Sequence, residues 1–470
     1  MLPPRHEVAM LSACFCHHPE PSVGRRVICK RGSRPDNMRA LLSVMLPGIG
    51  VFGTGDIVRA LVPFLRAKGF RVEAVWGRTL EAAENVATEL NIPFHTNKVD
   101  DVLLRKDVDL VFIICQPDLH AQIAVKALGI GKHVLCDRPA GLCQLEVLKM
   151  VHAAQYYPSL ISVISHGLRF LPAFVHMKRQ IEAGYVGTVN VCDVRVHCGS
   201  MIGNQFDWMC SHLMGGGILT MVGSHIIDVI SFVTSQRATR VHGMMRTFTK
   251  STEKINGIRW IDSDDFCSFQ MILDEGACVT ATLNSHMAGG FVQEVVVCGS
   301  RGRLAVRGAN LYGQSHTSEK EEELLHEGAD DVAHLTNKNN SARINSLLPQ
   351  PYLQGLFRLA GALKEAFATG DGEHGWLKEP VSTAATFEDG QYVQAVIDAI
   401  KLSSASRQWE QVTVANDESE LNPLMTRLNL PNINMSSLDA LSQAPTNRIT
   451  PQRKVTSSES HLPWSFATKH

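Results

Sequence analysis

The stretch KHVLCDRPAG, Lys132–Gly141, ends an apolar run on three residues with chemical capacity: Asp137, Arg138 and Pro139. A strand that stops on charged residues is where an α/β enzyme places its reacting groups. Arg is a poor acid or base, because a guanidinium keeps its proton across the accessible pH range. It can instead hold and polarise an oxygen, or stabilise a developing alkoxide by hydrogen bonding. A second stretch, GIGVFGTGDIV, carries two overlapping G-x-G-x-x-G matches. The one running Gly53, Thr54, Gly55, Asp56, Ile57, Val58 sits where a strand has to turn into a helix. Gly53 then makes the tight turn, and Gly55 lets backbone N–H groups approach a pyrophosphate. Val58 takes the place of the third small residue and is expected to loosen helix–strand packing.

Such residues need elements to hold them. From Met45 to about Ser165 the pattern alternates: GIGVFG (strand), DIVRALVPFLRAKG (helix, stopped by Gly69), RVEAVWG (strand) and TLEAAENVATEL (helix opened by Thr79). VDLVFIICQP follows as a long apolar strand, LHAQIAVKALGIG as a helix and HVLCD as a strand. Continuous apolar strands alternating with helices indicate a parallel sheet covered on both faces, a Rossmann-type domain over residues 45–165. From about residue 187 the pattern becomes period two, in TVNVCDVRVHCG, DFCSFQMIL, ACVTATLNSHM and FVQEVVVCGS. That predicts an α+β domain over 166–411 with an open, mostly antiparallel sheet, closed by a helix within Ser382–Ser406. Residues 1–44 read as a disordered extension and 412–470 as a flexible tail. Ser318–Asp331 reads as a solvated acidic loop or short helix.

The end of the second strand bears on cofactor type. A site for NAD places an acid there, to hold the ribose 2′-OH. This chain has Gly77, Arg78 and Thr79, which leaves room for a 2′-phosphate and supplies a cation for it. NADP(H) is therefore preferred over NAD(H).

Bulk composition narrows the classes further. The chain has 470 residues, 44% of them hydrophobic and 19% charged, with net charge −1. That balance gives no electrostatic reason to expect nucleic acid or an anionic membrane as partner. Twelve Cys are scattered through apolar runs. They form no CxxC pair, and Cys14, Cys16, His17 and His18 have no second ligand cluster, so no metal site is expected. Reduced thiols fit a cytoplasmic protein. Residues 38–53 resemble a signal peptide, which leaves secretion as the alternative. No apolar run is long enough to span a bilayer.

DLVFIICQPDLHAQIAVKALGIGKHVLCDRPAG resembles the Gfo/Idh/MocA oxidoreductase family, through Gln116-Pro117, His120, Gly131-Lys132-His133-Val134 and Asp137-Arg138-Pro139. The likeness continues in LRFLPAF, IEAGYVG and LMGGGILTMVGSHIIDVI, covering about residues 45–411. It is closest to the animal glucose-fructose oxidoreductase domain-containing subgroup, where an Asp-Arg pair also stands. The resemblance implies NAD(P) in the first domain, with Cys115, Pro117, His120, Asp137, Arg138 and Pro139 near it and a cis bond before Pro139. It implies a sugar, polyol or related carbonyl substrate at the domain boundary, and homo-oligomers through the open sheet. The family's catalytic Lys, Asp and His fall on Arg138, Met221 and His225. Asp228 stands one turn after His225 on the same helix face and is expected to orient it. Neither Met221 nor Arg138 can accept a proton, so His225 is the one remaining acid/base candidate, titrating near neutrality. Arg169 and Trp208 are further candidates for substrate contact, against a boundary ion pair and a core Trp.

Three readings follow. One is an NADP(H)-dependent oxidoreductase, with His225 as acid/base and Arg138 as electrophilic partner. Another is a catalytically weak dinucleotide-binding protein with a structural, sensing or assembly role. The third is a scaffold without cofactor. Gly53 and Gly55 favour the first two, and Met221 with Arg138 favours the second over the first.

Overall fold

The computed structural model describes residues 46–203, 206–253, 260–287, 290–326, 349–368, 380–420 and 427–428. The predicted extension, the Cys14–His18 cluster and most of the tail lie outside them. The first part of the chain runs β1 (Gly48–Phe52), α1 (Asp56–Ala67), β2 (Arg71–Trp76), α2 (Leu80–Leu90), β3 (Phe94–Thr96), α3 (Val99–Leu103), β4 (Leu110–Ile113), α4 (His120–Gly129), β5 (His133–Cys136), α5 (Gln144–Tyr156) and β6 (Ser162–Ile164). The second runs α6 (Pro172–Glu182), β7 (Val189–His197), α7 (Ser224–Thr234), β8 (Ala238–Arg246), β9 (Phe266–Leu273), β10 (Cys278–Asn284), β11 (Val292–Gly299), β12 (Gly302–Arg307), β13 (Asn310–Ser315), β14 (Glu322–Leu325), α8 (Gln350–Ala368), β15 (Ala385–Thr386), α9 (Phe387–Ser406) and β16 (Glu410–Gln411).

The first sheet has the order β15-β6-β5-β4-β1-β2-β3, and β1 to β6 pair in parallel. The order in which strands are added reverses between β1 and β4, so the crevice beyond their carboxyl ends is the place for a ligand. β1 and β4 are buried along their whole length, as their unbroken apolar sequence requires. β15 lies in the second half of the chain yet pairs antiparallel with β6. The chain therefore returns to the first domain, which a split at residue 165 does not capture. Val58 is fully buried in the core, so its branched side chain is packed and the expected loosening is not seen.

The second sheet has nine strands in the order β14-β13-β12-β11-β7-β10-β9-β8-β16, antiparallel except for the β7–β10 pair. One face packs on α6, α7 and α9, and the other leaves Val191, Met244 and Val292 exposed. The acidic segment after Ser318 is neither loop nor helix throughout: Glu322–Leu325 forms an edge strand on β13. Folded structure also runs past residue 412. Val412 N–H donates to the Thr239 carbonyl, and buried Ala415 is held by Gln144 and Gln391.

The expectation that no apolar run could span a bilayer needs correction. His212–Thr234 has that length and hydropathy, and 83% of its apolar window is buried inside the protein. Its side chains are spent on the core between the sheet and α6, as expected of a central helix. The nine described Cys are all free thiols.

Candidate active site

The dinucleotide half of the site is built by β1, β2 and β4. Gly53 has φ +144°, and a Cβ there would lie 2.2 Å from the Ile114 carbonyl oxygen, so only Gly fits the turn. A Cβ on Gly55 would meet nothing within 4 Å. Gly55 is the N-cap of α1, and no side chain caps that helix. Open space in front of uncapped N–H groups is what a pyrophosphate needs. Asp56 and half-buried Ile57 start α1, with Asp56 3.7 Å from Arg59.

Two acceptor atoms at the mouth of β4 are buried with no partner among the described residues: Gln116 Oε1 and Asp118 Oδ1. Arg78 is exposed and lies 3.4 Å from the other Asp118 oxygen. A free cation edge, two orphaned acceptors and an open helix N-terminus fit the phosphates and ribose hydroxyls of a nicotinamide dinucleotide.

Other residues expected at the cofactor hold the turns around it in place through contacts within the protein. The Thr79 hydroxyl accepts from Ala82 N–H at 3.2 Å, capping α2. Pro117 starts a buried turn over Pro117–Leu119. The Cys115 thiol sits 3.7 Å from the Gln116 carbonyl, and burial pushes its pKa up. His120 is fully buried, with Nδ1 2.8 Å from the Pro139 carbonyl and Nε2 3.0 Å from that of Cys115. It ties the end of β4 to the turn after β5. Burial holds its pKa down against Asp137 and those two carbonyls. The Arg138–Pro139 peptide is cis, as the resemblance implies.

Glu146, in the first turn of α5, secures the same turn by accepting from Leu142 N–H at 2.7 Å. Burial raises its pKa from 4.5 to about 7. A carboxyl with a raised folded pKa favours the fold below its unfolded pKa, and that contribution is lost as pH rises toward 7. Glu146→Gln is therefore expected to change the melting temperature little at pH 4.5 and to raise it at pH 8. Melting curves of both proteins across that range check this, and an equal shift at both ends would refute it.

Beyond the cis turn the three family positions meet. Arg138 Nε donates to His225 Nε2 at 2.9 Å, and Nη1 reaches Met221 Sδ at 3.5 Å. Met221 lies in a π-helical turn, Leu219–Gly223, leading into α7, a distortion frequent at functional sites. The His225 ring stacks on Tyr352 at 4.3 Å and meets His166 edge-on at 5.7 Å. Since Nε2 accepts from Arg138, its proton sits on Nδ1, which is buried with no partner among the described residues. Burial first, then Arg138 and His166, hold the His225 pKa well below 6.5. The expectation of titration near neutrality therefore fails.

Asp228 does not orient His225. Its carboxylate receives Arg169 Nε and Nη2 at 2.6–3.1 Å, and Arg169 Nη1 continues to Asp389 at 3.0 Å. Burial opposes the charge on Arg169, and the two carboxylates more than offset it. Arg169 is thus a domain-boundary ion pair, and its guanidinium is not offered to a substrate.

Trp208 is half-buried in a short turn, Trp208–Cys210, started by Asp207 accepting from Met209 N–H. Its neighbour Met209 lines a cavity of about 300 Å³ with Met201, Gly217, Asp264, Ser285 and His286, and Trp208 does not. Asp264 accepts from Leu219 N–H at 2.8 Å, and burial raises its carboxyl to about 6. This cavity shares no residue with the Arg138 cluster.

His166 and Tyr352 are site residues that sequence reasoning missed. His166 stands two residues after β6, and the carboxyl end of a parallel strand was a usable signal. Tyr352 comes from α8, far along the chain, and no local pattern points to it.

The sequence matches "Oxidoreductase family, NAD-binding Rossmann fold" over residues 48–165 and "GFO/IDH/MocA C-terminal domain" over 174–305. The chain belongs to the Gfo/Idh/MocA oxidoreductase family. It is 49% identical over 379 residues to glucose-fructose oxidoreductase domain-containing protein 1 of Xenopus tropicalis, covering 81% of this chain and 96% of that one. With protein 2 of Homo sapiens it shares 48% over 378 residues, covering 80% and 96%. Levoglucosan dehydrogenase in complex with NADH and L-sorbose superposes with a TM-score of 0.66 at 18% identity, over 78% of this chain and 99% of that one. An oxidoreductase domain protein from Kribbella flavida gives 0.65 at 24%, over 78% and 100%. At that identity the two structures speak for the fold of this Gfo/Idh/MocA member.

Proposed function

We propose that this protein binds NADP(H) beside a small carbonyl, sugar or polyol ligand, and that its acid–base machinery for oxidising alcohols has been lost. A nicotinamide dinucleotide, when bound, supplies hydride exchange. The observation that carries the reading is the Arg138 Nε–His225 Nε2 hydrogen bond of 2.9 Å beside the Met221 sulfur. Alcohol oxidation needs a group that takes the hydroxyl proton. Arg138 cannot take it, Met221 has no basic atom, and the His225 lone pair is already engaged. Arg138 can still donate to a ligand oxygen and polarise a carbonyl, so any turnover runs toward reduction. The alternative, a protein that only holds the dinucleotide for sensing or assembly, shares every feature except that turnover.

The preference for NADP(H) is supported by Arg78 and by Gly77, which follows β2 at the position where a site for NAD carries an acid. NADPH should stabilise the fold by mass action, by about 2.7 kcal/mol at a hundredfold excess over Kd, and so raise the melting temperature. Arg78→Ala is expected to weaken NADPH binding by about tenfold or more and to leave NADH unchanged. Titration of both cofactors by calorimetry checks it. Equal losses for NADPH and NADH would overturn the 2′-phosphate assignment, and no binding of either would overturn the function.

A further inference from the structure

Arg138 is a buried cation without an anion. It is 4% exposed, and among the described residues no carboxylate pairs with its guanidinium. The adjacent Asp137 carboxylate receives the Arg138 backbone N–H at 2.9 Å and the Ser165 hydroxyl. Asp228 is taken by Arg169. The contrast between the two guanidiniums is sharp: Arg169 has two carboxylates, whereas Arg138 has a neutral imidazole and a thioether, which is a weak acceptor. Among the described residues its Nη2 has no hydrogen-bond partner. An uncompensated buried charge is destabilising. The other groups around its guanidinium, His166, His225 and Tyr352, are held neutral by burial, so among the described residues no anion touches that cation.

We infer that the cleft takes a ligand bearing a carboxylate next to its carbonyl or hydroxyl groups, gripped by the Nη1/Nη2 edge of Arg138. The planar fork of a guanidinium matches a carboxylate in two parallel hydrogen bonds. One cation is balanced by one negative charge, which favours a sugar acid or an oxo- or hydroxy-acid over a neutral polyol or a phosphate dianion. The inference rests on reading the cleft as a ligand site beside the dinucleotide.

The test uses pairs that differ in charge and little else, on the full chain at constant ionic strength, with and without NADPH. D-Gluconate is compared with D-glucitol, and acetate with acetamide, by thermal shift and calorimetry; inorganic phosphate is a third arm. The carboxylate of at least one pair should bind on the order of tenfold tighter than its neutral partner. Arg138→Met should abolish that preference and raise the melting temperature of the unliganded protein, because the unpaired charge is gone. Arg138→Gln repeats the test should the Met variant not fold. No charge preference in either pair, a preference that survives in the variants, or phosphate binding tighter than acetate would each overturn the inference. NADPH binding without a carboxylate preference sinks only this inference; a carboxylate preference without NADPH binding sinks only the cofactor reading.

Discussion

Arg138→Lys combined with Met221→Asp is expected to raise NADP⁺-dependent oxidation of a polyol panel by about a hundredfold or more, the usual scale of general acid–base catalysis. The two side chains already touch, with Nη1 3.5 Å from Sδ, so an ammonium and a carboxylate placed there would fall within reach of each other and of His225. Lys can release its proton where burial lowers its pKa, which Arg cannot do. The Asp would supply the charge that holds an imidazolium after it accepts a proton. The single changes separate these contributions. Met221→Asp alone sets a carboxylate against Arg138, forming a closed ion pair that stays inert and excludes anions from the cleft. Arg138→Lys alone keeps a neutral, poorly basic His225 and should regain only a small part of the rate. Stopped assays of NADPH formation with all three variants measure this. A double variant that folds, binds NADPH and still oxidises nothing would mean that acid–base capacity is not what the wild-type protein lacks.

The fold was legible where a physical constraint acts locally. Strands buried on both faces have to be continuously apolar, and β1 and β4 are, as is β5 after His133. Gly69, at φ +93°, closes α1 where the Gly stop was expected, and Thr79 caps α2. β7, β9, β10 and β11 alternate because only one face packs on helices. What was not legible comes from pairings distant in sequence. β15 has two residues and no pattern of its own, and it exists only because β6 offers an edge.

The same division runs through the site. Gly53, Gly55 and the Arg138-Pro139 turn could be read because backbone geometry restricts residue type there. Which side chain Asp228 would face could not. Helix periodicity puts it on the His225 face, but a guanidinium arriving from the turn Gly167–Phe170 outbids a neutral imidazole for a buried carboxylate. The His225 pKa was misread for a related reason. Its proximity to Arg138 follows from the domain packing and from no feature of either segment alone.

That ion pair carries the largest stability effect expected in the molecule. Arg169→Met should cost about 3–5 kcal/mol, because removing one partner leaves the other charge buried and unpaired. Asp228 is 1% exposed, and it would lose three contacts of 2.6–3.1 Å at once. Asp389 would lose a 3.0 Å contact and keep a longer one to Arg237 at 3.4 Å. Asp389 also belongs to the capping box with Thr386 that starts α9, so the damage should extend to that helix end. Arg169→Met with Asp228→Leu should recover more than half of the loss, since a buried pair replaced by apolar groups is often close to neutral. Urea unfolding midpoints at constant slope measure both proteins. The alternative expected from sequence, Arg169 as a substrate contact, makes the opposite forecast: near-normal stability and a selective loss of ligand binding. A double variant no more stable than Arg169→Met would show that Asp228 is not the group whose charge Arg169 neutralises.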